Sequence, residues 1–235
     1  MNEQNPQVLR CHNLGLGRHH RQVLDGIDCT FSPGELTAVI GPNGAGKSSL
    51  LGCLAGVLES TAGELSLNER AFSSIPRAER AKLCAFLPQQ ESPAWSMPAE
   101  ELVALGLLPW GRSISRAQRQ VRVTAALQQV DALDLALRPV TQLSGGELRR
   151  VQLARLLVGD VPILIADEPG AALDIRHQLQ LMGTFRQQAD AGKTVILAIH
   201  DLGLAARFCD RILLLERGQL RAQGTPEEVL TAVQV

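Results

Sequence analysis

Two hydrophobic patterns alternate along the chain. Short apolar runs of β type occupy residues 36–40, 83–87, 163–166, 194–199 and 211–215. Several carry almost no polar residue, as expected of strands covered on both faces in a parallel sheet. Helical stretches fall between them, at 48–57 and 174–191. The alternation predicts a layered α/β fold. Between about 99 and 159 the β-type runs stop and the pattern turns helical, over 99–107, 116–130 and 146–158. That change predicts a helical lobe inserted into one sheet domain, entered near Gln89 and left before Val161. The core then comprises about 1–88 and 160–235, and the helical subdomain about 89–159. No internal repeat or low-complexity tract interrupts the chain.

Composition narrows the function classes. The 235 residues are 45% hydrophobic, ample for a buried core, and the net charge is −1. A nucleic-acid-binding domain usually shows a basic footprint, so no nucleic-acid partner is expected. The local basic clusters, 18–21 and Arg149-Arg150, read as solvated charges. Five scattered cysteines form no C-x-x-C pair, which leaves buried thiols and no zinc motif. The N-terminus has no apolar h-region and no apolar run approaches the length of a membrane span, so the chain is expected neither to be exported nor to cross a membrane.

Gly41-Pro42-Asn43-Gly44-Ala45-Gly46-Lys47-Ser48 satisfies G-x-x-x-x-G-K-[ST] in full, between an apolar strand and a helical run that begins at Ser49. Glycines let successive backbone N–H groups converge on an anion, and the helix N-terminus adds its partial positive charge. The pattern predicts a nucleoside triphosphate, with Lys47 on the β- and γ-phosphates and the Ser48 hydroxyl on magnesium. A second apolar strand ends in Asp167-Glu168. Two adjacent acids there imply a cation or a working role. Asp167 would anchor magnesium through water, and Glu168 would act as general base. Leu143-Ser144-Gly145-Gly146-Glu147 opens a further helix, a second N-terminus suited to an anion. One nucleotide loop with two phosphate-binding helix ends needs a second copy of the chain to use both.

With these motifs the chain resembles the ATP-binding subunits of ABC transporters, over about residues 8–230. Residues 41–48 match the family's Walker A motif, 143–147 its signature and 163–168 its Walker B. The resemblance implies a P-loop (RecA-like) core, an antiparallel β-subdomain and an inserted helical subdomain. It further implies ATP and magnesium as cofactors, and Lys47, Glu168 and His200 as catalytic residues. Gln89, rather than Gln90, matches the glutamine that binds magnesium and couples to the membrane partner. Asp174 matches the D-loop aspartate, and His200 the histidine that contacts the γ-phosphate. The implied partners are a second copy of the chain, integral-membrane permease subunits and a substrate-binding protein. The implied location is peripheral, at the cytoplasmic face of the inner membrane.

Two positions depart from the family pattern. No Tyr is present to stack on adenine; by register Arg18, or its neighbours His19 and His20, fall there, and a guanidinium or imidazole plane can also stack on a base. The segment Pro169-Gly170-Ala171-Ala172 lacks the hydroxyl-bearing residues usual before the D-loop. Within the family, the stretches around Gln89, 105–110, 200–207 and 218–226 are most similar to ATPases of iron–siderophore, haem and cobalamin importers. A soluble ABC ATPase without a permease, such as an iron–sulfur assembly ATPase, would carry the same catalytic motifs. Trp95 and Trp110 follow Gln89, where they would suit either a partner surface or the small core of the helical lobe.

Overall fold

The computed structural model describes residues 7–18, 21–89 and 95–232. It opens with a long hairpin, β1 (Leu9–Arg18) and β2 (Arg21–Phe31). After β3 (Leu36–Ile40) and α1 (Lys47–Leu54), β4 (Ala62–Leu67) and β5 (Arg70–Ala71) complete a four-stranded antiparallel sheet in the order β2-β1-β4-β5. The hairpin is not visible in the hydrophobic pattern, and the register explains why. Pairing slips between Cys11 and Leu14 and again beyond it, and Asn13 takes a left-handed φ of 47°. The buried positions Leu9, Cys11, Leu14 and Leu16 therefore lose strict alternation.

The chain continues through α2 (Arg77–Leu83), β6 (Cys84–Leu87), α3 (Ala99–Ala104), α4 (Arg116–Gln129) and α5 (Gly145–Leu157). It closes with β7 (Ile163–Asp167), α6 (Ile175–Asp190), β8 (Thr194–Ala198), α7 (Leu202–Phe208), β9 (Arg211–Glu216), β10 (Gln219–Gly224) and α8 (Pro226–Ala232). A six-stranded sheet runs β10-β9-β3-β8-β7-β6, parallel except at the β10 edge. Period-two alternation divides its residues between two cores. Ile163 and Ile165 pack toward α1 and the antiparallel sheet, while Leu164 and Ala166 pack toward α5 and α6. A third apolar cluster joins α3, α4 and α5.

Element boundaries differ from the sequence expectation where a local signal wins. Leu83 ends α2 instead of starting a strand, because a short apolar run fits either structure. The helix expected over 48–57 starts at Lys47 and stops at Leu54, since Gly56 turns left-handed just beyond the end. The helix expected to 107 stops at Ala104, followed by 3₁₀ turns that contain Pro109 and Gly111, the latter at φ 50°. Of the two tryptophans, Trp110 packs between the second and third cores, and Trp95 is 66% exposed. Four of the five cysteines are buried and Cys84 is half-buried, all as free thiols.

Candidate functional site

All five residues of β3 are buried, so the strand delivers Gly41 to a fixed point at the sheet's C-terminal edge. A Cβ on Gly41 would lie 2.1 Å from the Leu215 carbonyl oxygen, at a φ of 145°. Gly46 caps α1 at φ 106°, where a Cβ would meet Leu24 Cδ2 at 2.9 Å. Both glycines are required by the backbone itself. Gly218 N–H donates to the Ala45 carbonyl at 2.9 Å, bracing the loop from outside. Lys47 Nζ donates to the carbonyls of Gly41 (2.8 Å) and Pro42 (3.1 Å), folding its ammonium back across the loop. Lys47 is buried; desolvation lowers its pKa, against the pull of Glu168 and Asp167. Pro42, Asn43, Gly44 and Ser48 are exposed beside it, Ser49 is half-buried, and the first-turn N–H groups of α1 point into the same space.

Asp167, the last residue of β7, is 2% exposed. Burial raises its pKa and the neighbouring Glu168 adds to that, while a hydrogen bond from Ser48 and the charges of Lys47 and Arg149 lower it. Its Oδ1 is buried without a hydrogen-bond partner, the one such side-chain atom among the described residues. A buried carboxylate oxygen beside a serine hydroxyl fits a hard divalent cation or its water. The native state therefore holds the Asp167 proton to higher pH than the unfolded chain does. Stability falls as pH rises through that window, and the cost persists at neutral pH. Asp167→Asn should raise the thermal midpoint of the metal-free, ligand-free protein near neutral pH. A lower midpoint for the Asn variant in a chelating buffer would contradict this account.

Glu168 sits one residue beyond the strand at φ 46°, an uncommon conformation for a side-chain-bearing residue. Gln89 Nε2 donates to its Oε2 at 2.8 Å, and His200 Nε2–H donates to its Oε1 at 2.5 Å. The structure thus brings together Lys47, Ser48, Gln89, Asp167, Glu168 and His200, from the ends of β3, β6, β7 and β8 and the start of α1. Parallel strands place their C-terminal ends on one rim, which is why residues so distant in sequence meet there.

The signature segment opens α5. Ser144 accepts from Glu147 N–H, and the Glu147 carboxylate accepts from Ser144 N–H at 2.8 Å, forming a capping box. Those two bonds and the 2.7 Å pair with Arg138 hold the Glu147 pKa down to about 2. Gly146 lies so close to the Ala172 carbonyl that a Cβ would be 3.3 Å from it. Asp174 caps α6, accepting from His177 N–H at 2.9 Å. Gln178 Nε2 donates to the carbonyls of Gly170 and Leu173, which supports the segment that lacks the usual hydroxyls. Arg18 is exposed at the tip of β1, while His19, His20 and Gln90 lie outside the described residues.

One expectation is overturned. Arg149 is not a solvated charge; it is 5% exposed, with its guanidinium against the carbonyls of Pro88, Asp167, Glu168 and Pro169. Helical spacing carries the missed signal. Arg149 shares a stripe with the buried Gln152 and Leu156, at i+3 and i+7. Arg150 is half-buried and donates to the Asp131 carbonyl.

A family model described as ABC transporter matches residues 24–171. The chain is 44% identical over 229 residues to a hemin import ATP-binding protein of Pseudomonas aeruginosa, covering 95% of this chain and 89% of the relative. A protein of the same name from Streptomyces coelicolor is 42% identical over 209 residues, covering 89% and 75%. Among solved structures, a dimeric, post-hydrolysis ATP-binding cassette bound to ADP and Pi matches with a TM-score of 0.84. It is 26% identical and covers 93% of this chain and 98% of that one. An ATP-binding subunit of an ABC transporter matches with a TM-score of 0.85 at 26% identity, covering 96% and 92%.

Proposed function

We propose, for a chain that belongs to the ABC transporter family as an ATP-hydrolysing subunit, that its hydrolysis drives import of haem or a related iron chelate. The observation that carries this cargo is relatedness along nearly the whole chain to proteins named for hemin import. Residues 41–49 hold the triphosphate, with Lys47 moving from its two backbone carbonyls onto the β- and γ-phosphates. Arg18 offers the adenine a guanidinium plane. Ser48, Asp167 and Gln89 would hold magnesium. When bound, that ion offsets charge on the β- and γ-oxygens.

Glu168 takes the proton of the attacking water, and His200, held against Glu168 at 2.5 Å, would contact the γ-phosphate. The reaction needs positioning and charge stabilisation above all, which suits a carboxylate fixed at both oxygens. Residues 143–147 of a second copy complete each site, with the D-loop of Asp174 between them. Closure of the two copies is the force-producing step.

The permease seat in this account is the open edge of β6 beside the turns after α3. Phe86, Leu105, Leu108 and Pro109 line a cavity of about 360 Å³ there. Leu108 is 69% exposed, and Trp95, six residues after Gln89 in sequence, is 66% exposed. No helix among the described residues is long and apolar enough to cross a membrane. As the ATP-hydrolysing subunit of an importer, the chain works in this proposal as a peripheral subunit on the cytoplasmic face of the inner membrane, with a substrate-binding protein delivering cargo on the other side. Deleting the gene in its source organism should abolish growth on haem as sole iron source. A wild-type copy should restore it and Lys47→Ala should not. Undiminished growth of the deletion strain on haem would refute the cargo.

A further inference from the structure

Arg149 is buried in the second turn of α5, and each of its donors has a partner. Nε donates to the Pro169 carbonyl at 3.1 Å. One terminal nitrogen donates to the carbonyls of Asp167 (2.9 Å) and Glu168 (2.8 Å). The other donates to the Pro88 carbonyl at 3.0 Å and, at 3.5 Å, to Gln152 Oε1. A guanidinium carries five N–H donors in a fixed plane, and this geometry uses them all. Burying such a group is unfavourable unless its donors are met. Here four of the five are met by backbone oxygens at the ends of two neighbouring strands.

Those oxygens are not scattered. The carbonyls of Asp167 and Glu168 flank the Glu168 Cα, whose left-handed φ is costly unless its surroundings over-determine it. Pro88 directly precedes Gln89, whose amide holds the Glu168 carboxylate at 2.8 Å. One side chain therefore grips the backbone on both sides of the Gln89–Glu168 contact. It projects from the helix whose first turn carries the signature residues Ser144 to Glu147.

We propose that Arg149 is a positioning residue for hydrolysis, fixing the Glu168 backbone and joining it to the Gln89 segment and the signature helix as one rigid unit. The proposal rests on Glu168 being the general base. A change at the α5 N-terminus, such as engagement of the partner copy's ATP, reaches the base through a single helical turn. Lysine cannot reproduce this. Its three donors radiate from one point and cannot span four carbonyls in a plane.

The test measures steady-state kcat and KM for ATP and single-turnover rates, with ADP binding as a check of the fold. The variants are Arg149→Lys, Arg149→Gln, Glu168→Gln and the double variant Arg149→Gln/Glu168→Gln. Misplacing a catalytic group by about 1 Å costs up to about 10²-fold. The expected loss in kcat is about 10-fold for Arg149→Lys and approaches that limit for Arg149→Gln, with KM nearly unchanged. In the double variant the rate should match that of Glu168→Gln alone, because the two act on one step. A raised KM at wild-type kcat, or multiplicative losses in the double variant, would overturn the positioning role. If Arg149→Gln fails to bind ADP, Arg149→Lys decides the matter, and wild-type kcat there overturns the proposal. A Glu168→Gln enzyme at wild-type rate would instead remove the base assignment, a separate failure visible without any Arg149 variant.

Discussion

Glu168→Gln lowers ATP turnover by about 10²–10⁴-fold and leaves ATP affinity near wild type. The substitution keeps the shape of the side chain and keeps an oxygen to accept from Gln89 or His200, the two groups that hold the carboxylate at 2.8 and 2.5 Å. What it removes is the capacity to accept a proton from the attacking water. The phosphate loop, residues 41–48, is untouched, so binding and chemistry separate. Phosphate release and equilibrium ATP binding, measured side by side, check both halves. Wild-type turnover would show that Glu168 is not the base.

Lys47→Ala fails earlier in the cycle. The Lys47 ammonium is buried and held by the Gly41 and Pro42 carbonyls at 2.8 and 3.1 Å. Its charge has been partly desolvated before any ligand arrives. A hydrogen bond to a charged group contributes about 1.5–3 kcal/mol, so losing it weakens ATP binding by roughly 10- to 10²-fold. The loss of charge stabilisation on the transferring phosphoryl comes on top of that, and turnover becomes undetectable. Isothermal titration with ATP and magnesium checks the first effect. An unchanged affinity would contradict the role of Lys47.

The site was more legible in the sequence than the scaffold around it. Residues 41–48 and Asp167-Glu168 announce themselves because phosphate binding demands glycines at fixed offsets and a strand end fixes where the acids stand. The β3, β7 and β8 strands are equally plain, since burial on both faces leaves five apolar residues in a row or nearly so. The β1–β2 hairpin is hidden by bulges that break alternation, whereas β6 is legible except for its first residue, because α2 runs on to Leu83. Arg149 is hidden for a different reason. A buried guanidinium serving backbone carbonyls looks in sequence like any exposed basic pair, and only its helical register with Gln152 and Leu156 sets it apart. The contact of Gln89 and His200 with Glu168 depends on the parallel order β3-β8-β7-β6, a tertiary fact that spacing along the chain does not contain.

In the proposed dimer each ATP is shared between two copies, bound by residues 41–48 of one and capped by the α5 N-terminus of the other. Each chain carries one phosphate loop, and its capping box at Ser144 and Glu147 leaves other first-turn N–H groups of α5 to meet a phosphate. The most direct measurement is the mass in solution of Glu168→Gln, by light scattering after gel filtration, with magnesium and ATP or with ADP. A dimer with ATP and a monomer with ADP are expected, and a monomer in both when Ser144→Arg is added. A monomer with ATP, or an ATP-dependent dimer that survives Ser144→Arg, would contradict the shared site.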